Sequence, residues 1–212
     1  MGPEIKQCVI IGSSPECGGR DFQQIDREKS FLICADGGLD TARRYGMVPD
    51  LVIGDFDSLQ GDLPIESEIL RLKVEKDDTD LMAAVRIALE RGFRDFLLIG
   101  GTGGRLDHTY ANFCVLQYLA EQGCRARLAG NGSLVYFQGI GTFRLNGFKG
   151  RTVSVFPFGT SACTVTYHGL KYPLTNHTLV SSFPLGVSNC ILEDEAEIQV
   201  LEGSALIILI ID

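Results

Sequence analysis

The chain has 212 residues, 45% hydrophobic and 22% charged, with 25 Gly, 7 Cys and no Trp, a composition that excludes disorder, collagen and coiled coil. Its formal net charge of −8, from 19 basic and 27 acidic residues, carries no basic footprint, so no nucleic-acid partner is expected. The longest apolar run, residues 205–211, is seven residues long, well short of the roughly 20 a membrane helix needs, so no membrane partner is expected either.

In chain order, residues 7–11, 31–35, 51–54, 96–100 and 126–129 read as buried parallel strands, being short, apolar and bounded by Gly or Asp. Residues 39–45, 79–91 and 106–122 read as helices between them. In the second helix Leu81, Val85, Ala88 and Leu89 form an apolar stripe at helical spacing, and Gly92 stands where a C-cap glycine belongs. Strand–helix alternation predicts a doubly wound, mostly parallel sheet.

Near residue 130 the chain changes character: residues 1–130 hold 36 charged side chains and residues 131–212 only 10. Downstream the period drops to two, with glycine-marked turns between candidate strands at 134–137, 142–145, 152–156, 163–167, 187–192, 198–201 and 206–211. The expected architecture is an α/β domain over 1–130 followed by an all-β domain over 131–212, an antiparallel sandwich or barrel. The cysteines form no CxxC pair, which argues against a zinc site or disulfide scaffold. Reduced core thiols in a cytoplasmic protein are expected, and the N-terminus lacks the basic-then-apolar pattern of a secretory signal.

In an open parallel sheet, ligands bind at the carboxyl ends of the strands, and acids gather there. The second strand leads into Asp36-Gly37-Gly38 and the third into Asp55-Phe56-Asp57-Ser58. Lys76-Asp77-Asp78-Thr79-Asp80 opens the second helix, and Gly100 to His108 follow the fourth strand. Asp55 and Asp57, two apart, point to the same side of an extended chain. Their repulsion is relieved by a cation, and carboxylate oxygens suit Mg²⁺, which leaves positions for water and substrate phosphates. Asp-x-Asp alone also fits a solvated turn; with Asp36, Asp77, Asp80 and Asp107 at the same edge, a metal role is expected.

The glycine-rich loop suits a phosphate cradle built from N–H groups, with Arg105 adding a charge-assisted contact. It also suits a plain tight turn, and its spacing matches neither GxxxxGK[ST] nor GxGxxG. Thr79 and Asp80 suit a helix N-cap and first turn. His108 fits a general base or a cap alike, and His168 and His177 lack metal-ligand spacing. No Ser/His/Asp or Cys/His pattern supports covalent hydrolysis.

Taken together, these segments resemble the thiamine pyrophosphokinase family. The resemblance runs through Ala35-Asp36-Gly37-Gly38 and residues 49–58, 76–80 and 103–108, then Gly169-Leu170-Lys171-Tyr172-Pro173-Leu174 and Ser188-Asn189, in the family's order. It implies transfer of a pyrophosphoryl group from ATP to the hydroxyl of thiamine, giving thiamine pyrophosphate and AMP. It also implies Mg²⁺ and a homodimer whose active site is completed at the subunit interface. By matching position, Asp55, Asp57 and Asp80 look like metal or pyrophosphate-site residues, and either Asp80 or Asp107 accepts the hydroxyl proton. Asp36, Lys76, Asp77, Thr79, Arg105 and Asp107, with His108, look like the nucleotide and phosphate shell. Tyr172, Ser188 and Asn189 look like thiamine-side residues, Tyr172 standing where family members often carry Trp. Two other readings use the same acids: a Mg²⁺-dependent hydrolase of a nucleotide or phosphate ester, and a non-catalytic nucleotide-sensing module.

Overall fold

Runs of β-branched and apolar residues form the strands of the N-terminal part, as their patterning predicts. The computed structural model describes residues 6–56, 62–71 and 79–211. The chain divides into two units, Met1–Val115 with Gln122–Asn131, and Leu116–Glu121 with Gly132–Asp212. In the first, β1 (Gln7–Ile11), β2 (Ser30–Ala35), β3 (Leu51–Gly54) and β5 (Asp95–Ile99) are buried almost throughout. Burial on both faces explains why these strands read as continuous apolar runs rather than alternating ones. With β4 (Glu68–Arg71) and β6 (Arg125–Gly130) they pair in parallel in the order β6-β5-β1-β2-β3-β4.

Helices complete the crossovers. A single turn, α1 (Gly19–Phe22), follows β1, and α2 (Gly38–Arg44) follows β2. α3 (Asp80–Glu90) buries Leu81, Ala83, Ala84, Val85 and Ala88, and both α2 and α3 pack on β1 and β2. Thr79 caps α3, its hydroxyl accepting the Met82 N–H at 3.2 Å, as a residue of that type does at this position. α4 (Leu106–Glu121) follows β5. The chain thus steps outward from β1 through β2, β3 and β4, then returns to the other side of β1 for β5 and β6. The strand order reverses between β1 and β5, where open α/β sheets form their ligand crevice. The backbones there approach closely: a Cβ on Gly100, whose φ is +68°, would stand 2.5 Å from the Gly12 carbonyl oxygen.

The second unit is antiparallel throughout. Its strands are β7 (Ser133–Gln138), β8 (Gly141–Arg144), β9 (Thr152–Pro157), β10 (Ala162–His168), β11 (His177–Val180), β12 (Asn189–Cys190), β13 (Glu197–Glu202) and β14 (Ala205–Ile210). They form one ladder in the order β12-β9-β14-β7 and another in the order β11-β10-β13-β8. The two meet where β9 lies against β10 and β11. Val153, Val155, Val165, Ile198, Val200 and Ile207 are buried in their core.

Three strands depart from the sequence reading. β4 and β11 carry no apolar alternation because they are edge strands, β4 exposed at both ends and β11 at three of its four residues, and edges take polar side chains to block further pairing. The run at 187–192 contains only the two-residue β12, because Ser188 adopts φ +57° and turns the chain out of the extended form. The cysteines are all free, with Cys8, Cys17, Cys34, Cys124 and Cys163 buried. Burial raises the Cys8 and Cys34 thiols well above their ordinary value, so they stay protonated and pack as small apolar groups. No helix among the described residues is long and apolar enough to cross a membrane.

Candidate active site

A cleft of about 500 Å³ opens at the reversal of strand order. The loop after β1 contributes Gly12, Ser13, Ser14 and Pro15; Asp36 follows β2; and Thr79 and Asp80 come from the start of α3. Gly100, Gly101, Gly103, Gly104 and Arg105 follow β5, and His108 and Asn112 lie on α4. The motifs around Asp36, Thr79-Asp80 and the glycine-rich loop therefore meet in one cavity.

Asp36 is held in the left-handed region at φ +46°, which Asp tolerates better than most residues. Its N–H donates to the Ile53 carbonyl at 2.7 Å. Gly54 gives it room, since a Cβ at that position would stand 3.1 Å from the Asp36 Cα. Asp55 follows β3, half-buried, and is not among the residues lining the cleft. Asp57, Lys76 and Asp77 lie outside the described residues.

Arg105 lines the cleft while its guanidinium grips Asp107 through two bonds, Nε to Oδ1 at 3.1 Å and Nη2 to Oδ2 at 2.5 Å. That bidentate pairing, helped by the His108 N–H, lowers the Asp107 carboxyl to about 2. Asp107 itself does not line the cleft; it is an exposed partner that orients the arginine.

The loop after β1 escaped the sequence reading. Ser14, 8% exposed, donates from Oγ to the Thr102 carbonyl and from its N–H to the Gly100 carbonyl at 3.1 Å. Asn112, 7% exposed, donates to the Gly101 carbonyl at 2.7 Å. Gly-Ser-Ser directly after the first strand was the available signal, but its weight comes from where the strand order reverses.

Among the described residues, no three His, Cys, Asp or Glu side chains form a group that could hold a metal ion. Asp36 and Asp80 do supply hard oxygen donors to the cleft, a chemistry suited to Mg²⁺ that takes its other ligands from water and phosphate.

In the second unit Tyr172, Ser188 and Asn189 come together. Tyr172 is 59% exposed, with Lys171 Nζ 5.5 Å from its ring centroid. The buried Asn189 clamps its backbone: Oδ1 accepts the Tyr172 N–H at 3.0 Å and Nδ2 donates to the Tyr172 carbonyl at 2.8 Å. Oδ1 also accepts the Cys190 N–H at 2.9 Å. Ser188 donates its N–H to Ser154 Oγ at 3.0 Å. His168 and His177 sit exposed at strand ends.

Comparison with known proteins agrees with this layout. The family model "Thiamin pyrophosphokinase, catalytic domain" matches residues 22–128, and "Thiamin pyrophosphokinase, vitamin B1 binding domain" matches residues 142–204. The chain is 28% identical over 210 residues to the thiamine pyrophosphokinase of Bacillus subtilis, spanning 96% of this chain and 98% of that one. The crystal structure of thiamine pyrophosphokinase from Bacillus subtilis superposes with a TM-score of 0.85 at 25% identity, covering 98% of this chain and all of that one. The thiamin pyrophosphokinase structure from Geobacillus thermodenitrificans does so with a TM-score of 0.83 at 28% identity, over 97% and 98% of the two chains.

Proposed function

Because the chain belongs to the thiamin pyrophosphokinase family, we propose that it transfers the pyrophosphoryl group of ATP to the hydroxyl of thiamine, giving thiamine pyrophosphate and AMP. The observation that carries this reading is the cleft at the strand-order reversal, lined by two carboxylates, an arginine and a glycine-rich loop. Transfer of this kind asks for positioning and charge neutralisation rather than covalent help. Arg105 and the loop after β5 receive the nucleotide phosphates, with Asp36, Lys76, Asp77, Thr79 and His108 completing that shell. Asp55, Asp57 and Asp80 would hold Mg²⁺, which when bound neutralises charge on the phosphate oxygens. Asp107 is exposed, paired with Arg105 and outside the cleft lining, whereas Asp80 lines the cleft. Asp80 is therefore the carboxylate assigned to the hydroxyl proton.

Tyr172 offers an exposed ring for the pyrimidine or thiazolium of thiamine, with a cation–π contribution of about 0.5–2 kcal/mol. Ser188 and Asn189 stand beside it, and the site is completed across the interface of a cytoplasmic homodimer. Tyr172→Ala raises the thiamine KM by about tenfold, the equivalent of that contribution, and leaves the ATP KM unchanged. Steady-state kinetics in both substrates decide it, and equal rises in both KM values would make Tyr172 a packing residue.

The activity itself is tested by incubating the protein with ATP, Mg²⁺ and thiamine, omitting each in turn, and following AMP and the thiamine product. Both products are expected only with all three present. AMP or phosphate released without thiamine would point to a hydrolase, and nucleotide binding without turnover to a sensing module.

A further inference from the structure

Glu16 stands one residue beyond the cleft-lining Pro15, outside every motif that suggested chemistry. Its carboxylate joins the loop after β1 to two other segments: Oε1 accepts the Gly104 N–H at 3.0 Å, and Oε2 accepts Asn131 Nδ2 at 2.8 Å. Its backbone is placed in turn, the Glu16 N–H donating to Ser14 Oγ at 3.3 Å. The carboxyl group lies so close to the glycine-rich loop that a Cβ on Gly103 would stand 2.6 Å from Glu16 Cδ. The bonds from Asn131 and Gly104 hold the Glu16 carboxyl below the usual carboxylate range, so both contacts are charge-assisted at neutral pH.

The loop needs such an anchor. Gly103 and Gly104 both have positive φ, +86° and +64°, and glycine loses more backbone freedom on ordering than any other residue. A loop that must be ordered by its ligand gives up affinity, whereas one already held in place does not. Charge-assisted acceptors hold an N–H about twice as strongly as neutral ones.

We propose that Glu16 is a positioning residue whose carboxylate staples the glycine-rich loop to the loop after β1 and so sets the neighbouring Arg105 for a nucleotide phosphate. The proposal rests on the reading of this cleft as the nucleotide site.

The test compares Glu16→Ala and Glu16→Gln with the unaltered protein by calorimetric ATP binding, by KM for ATP and for thiamine, and by Tm. Glu16→Ala is expected to weaken ATP binding and raise the ATP KM by about tenfold, the size of one exposed charge-assisted hydrogen bond. The thiamine KM and Tm stay near their original values. Glu16→Gln keeps an acceptor for Gly104, and the Asn131 amide turned over offers its oxygen to the new amide. That variant therefore stays within about threefold of the unaltered protein. Unchanged ATP affinity in Glu16→Ala would overturn the proposal. So would equal losses for both substrates together with a lowered Tm, or a Glu16→Gln variant as impaired as Glu16→Ala. If the unaltered protein binds ATP but makes no thiamine pyrophosphate, the transfer reading fails while the ratio of ATP affinities still decides the staple. If it binds no ATP, both fall.

Discussion

Asp80→Asn lowers the rate of AMP and thiamine pyrophosphate formation by at least about 10²-fold, the scale of removing one preorganised electrostatic group from a site of developing charge. Asp80 lines the cleft at the first position of α3, where the substitution keeps the side chain's shape but removes a charged oxygen donor. The fold survives. Losing the interaction between a first-turn carboxylate and the helix dipole costs only about 0.3–1 kcal/mol, and the Thr79 cap that starts the helix is untouched. Asp55→Asn is expected to behave in the same way. Product formation measured across a Mg²⁺ titration, with circular dichroism as the control for folding, decides each case. A near-original rate in either variant removes that residue from the metal-holding set.

Gly38→Ala acts on the fold rather than the chemistry, and strongly. Gly38 opens α2 directly against the end of β1. A Cβ there would stand 2.8 Å from the Ile11 carbonyl carbon and closer still to its oxygen. Both atoms are backbone, so no side-chain rotation relieves the contact, and α2 has to move off the sheet. The cost is about 3 kcal/mol or more, a large share of the roughly 5–15 kcal/mol that holds a domain together. Urea unfolding of Gly38→Ala measures it against Gly139→Ala, which has open space around the added carbon and is expected to change stability by no more than about 0.5 kcal/mol. Equal midpoints for the two variants would show that α2 has room to shift. Because Ile11 leads into Gly12 of the cleft, Gly38→Ala protein that does fold also binds ATP less tightly.

The residues that spoke clearly in the sequence are those whose environment is decided within a few positions of chain. The runs at β1, β2, β3 and β5 are apolar because both faces of a central parallel strand are buried. The stripe of α3 is apolar because one helical face is. Asp36, Thr79 and Asp80 announce themselves through a strand end followed by glycines or by a helix start, and all three line the cleft. The glycine-rich loop with Arg105 does the same.

Other features depend on partners far away in the chain. β4 and β11 look like loops because their place at an edge removes the apolar pattern that marks a strand. The buried amide of Asn189 holds the backbone of Tyr172, 17 residues earlier. Glu16 belongs to no motif, and its partners Gly104 and Asn131 are 88 and 115 residues distant.

By itself, then, the sequence determined the central strands and the longer helices, the change from parallel α/β to antiparallel β, and the residue types offered at the carboxyl edge of the sheet. Each of these follows from local periodicity and turn chemistry. Only the tertiary structure decided where the strand order reverses, and so which loop faces the glycine-rich one. It also decided that Arg105 and Asp107 spend their charges on each other while Arg105 remains at the cleft. The physical reason is that strand order and hydrogen-bond partners are chosen by which surfaces can be buried together across the whole chain, a choice that no window of sequence contains.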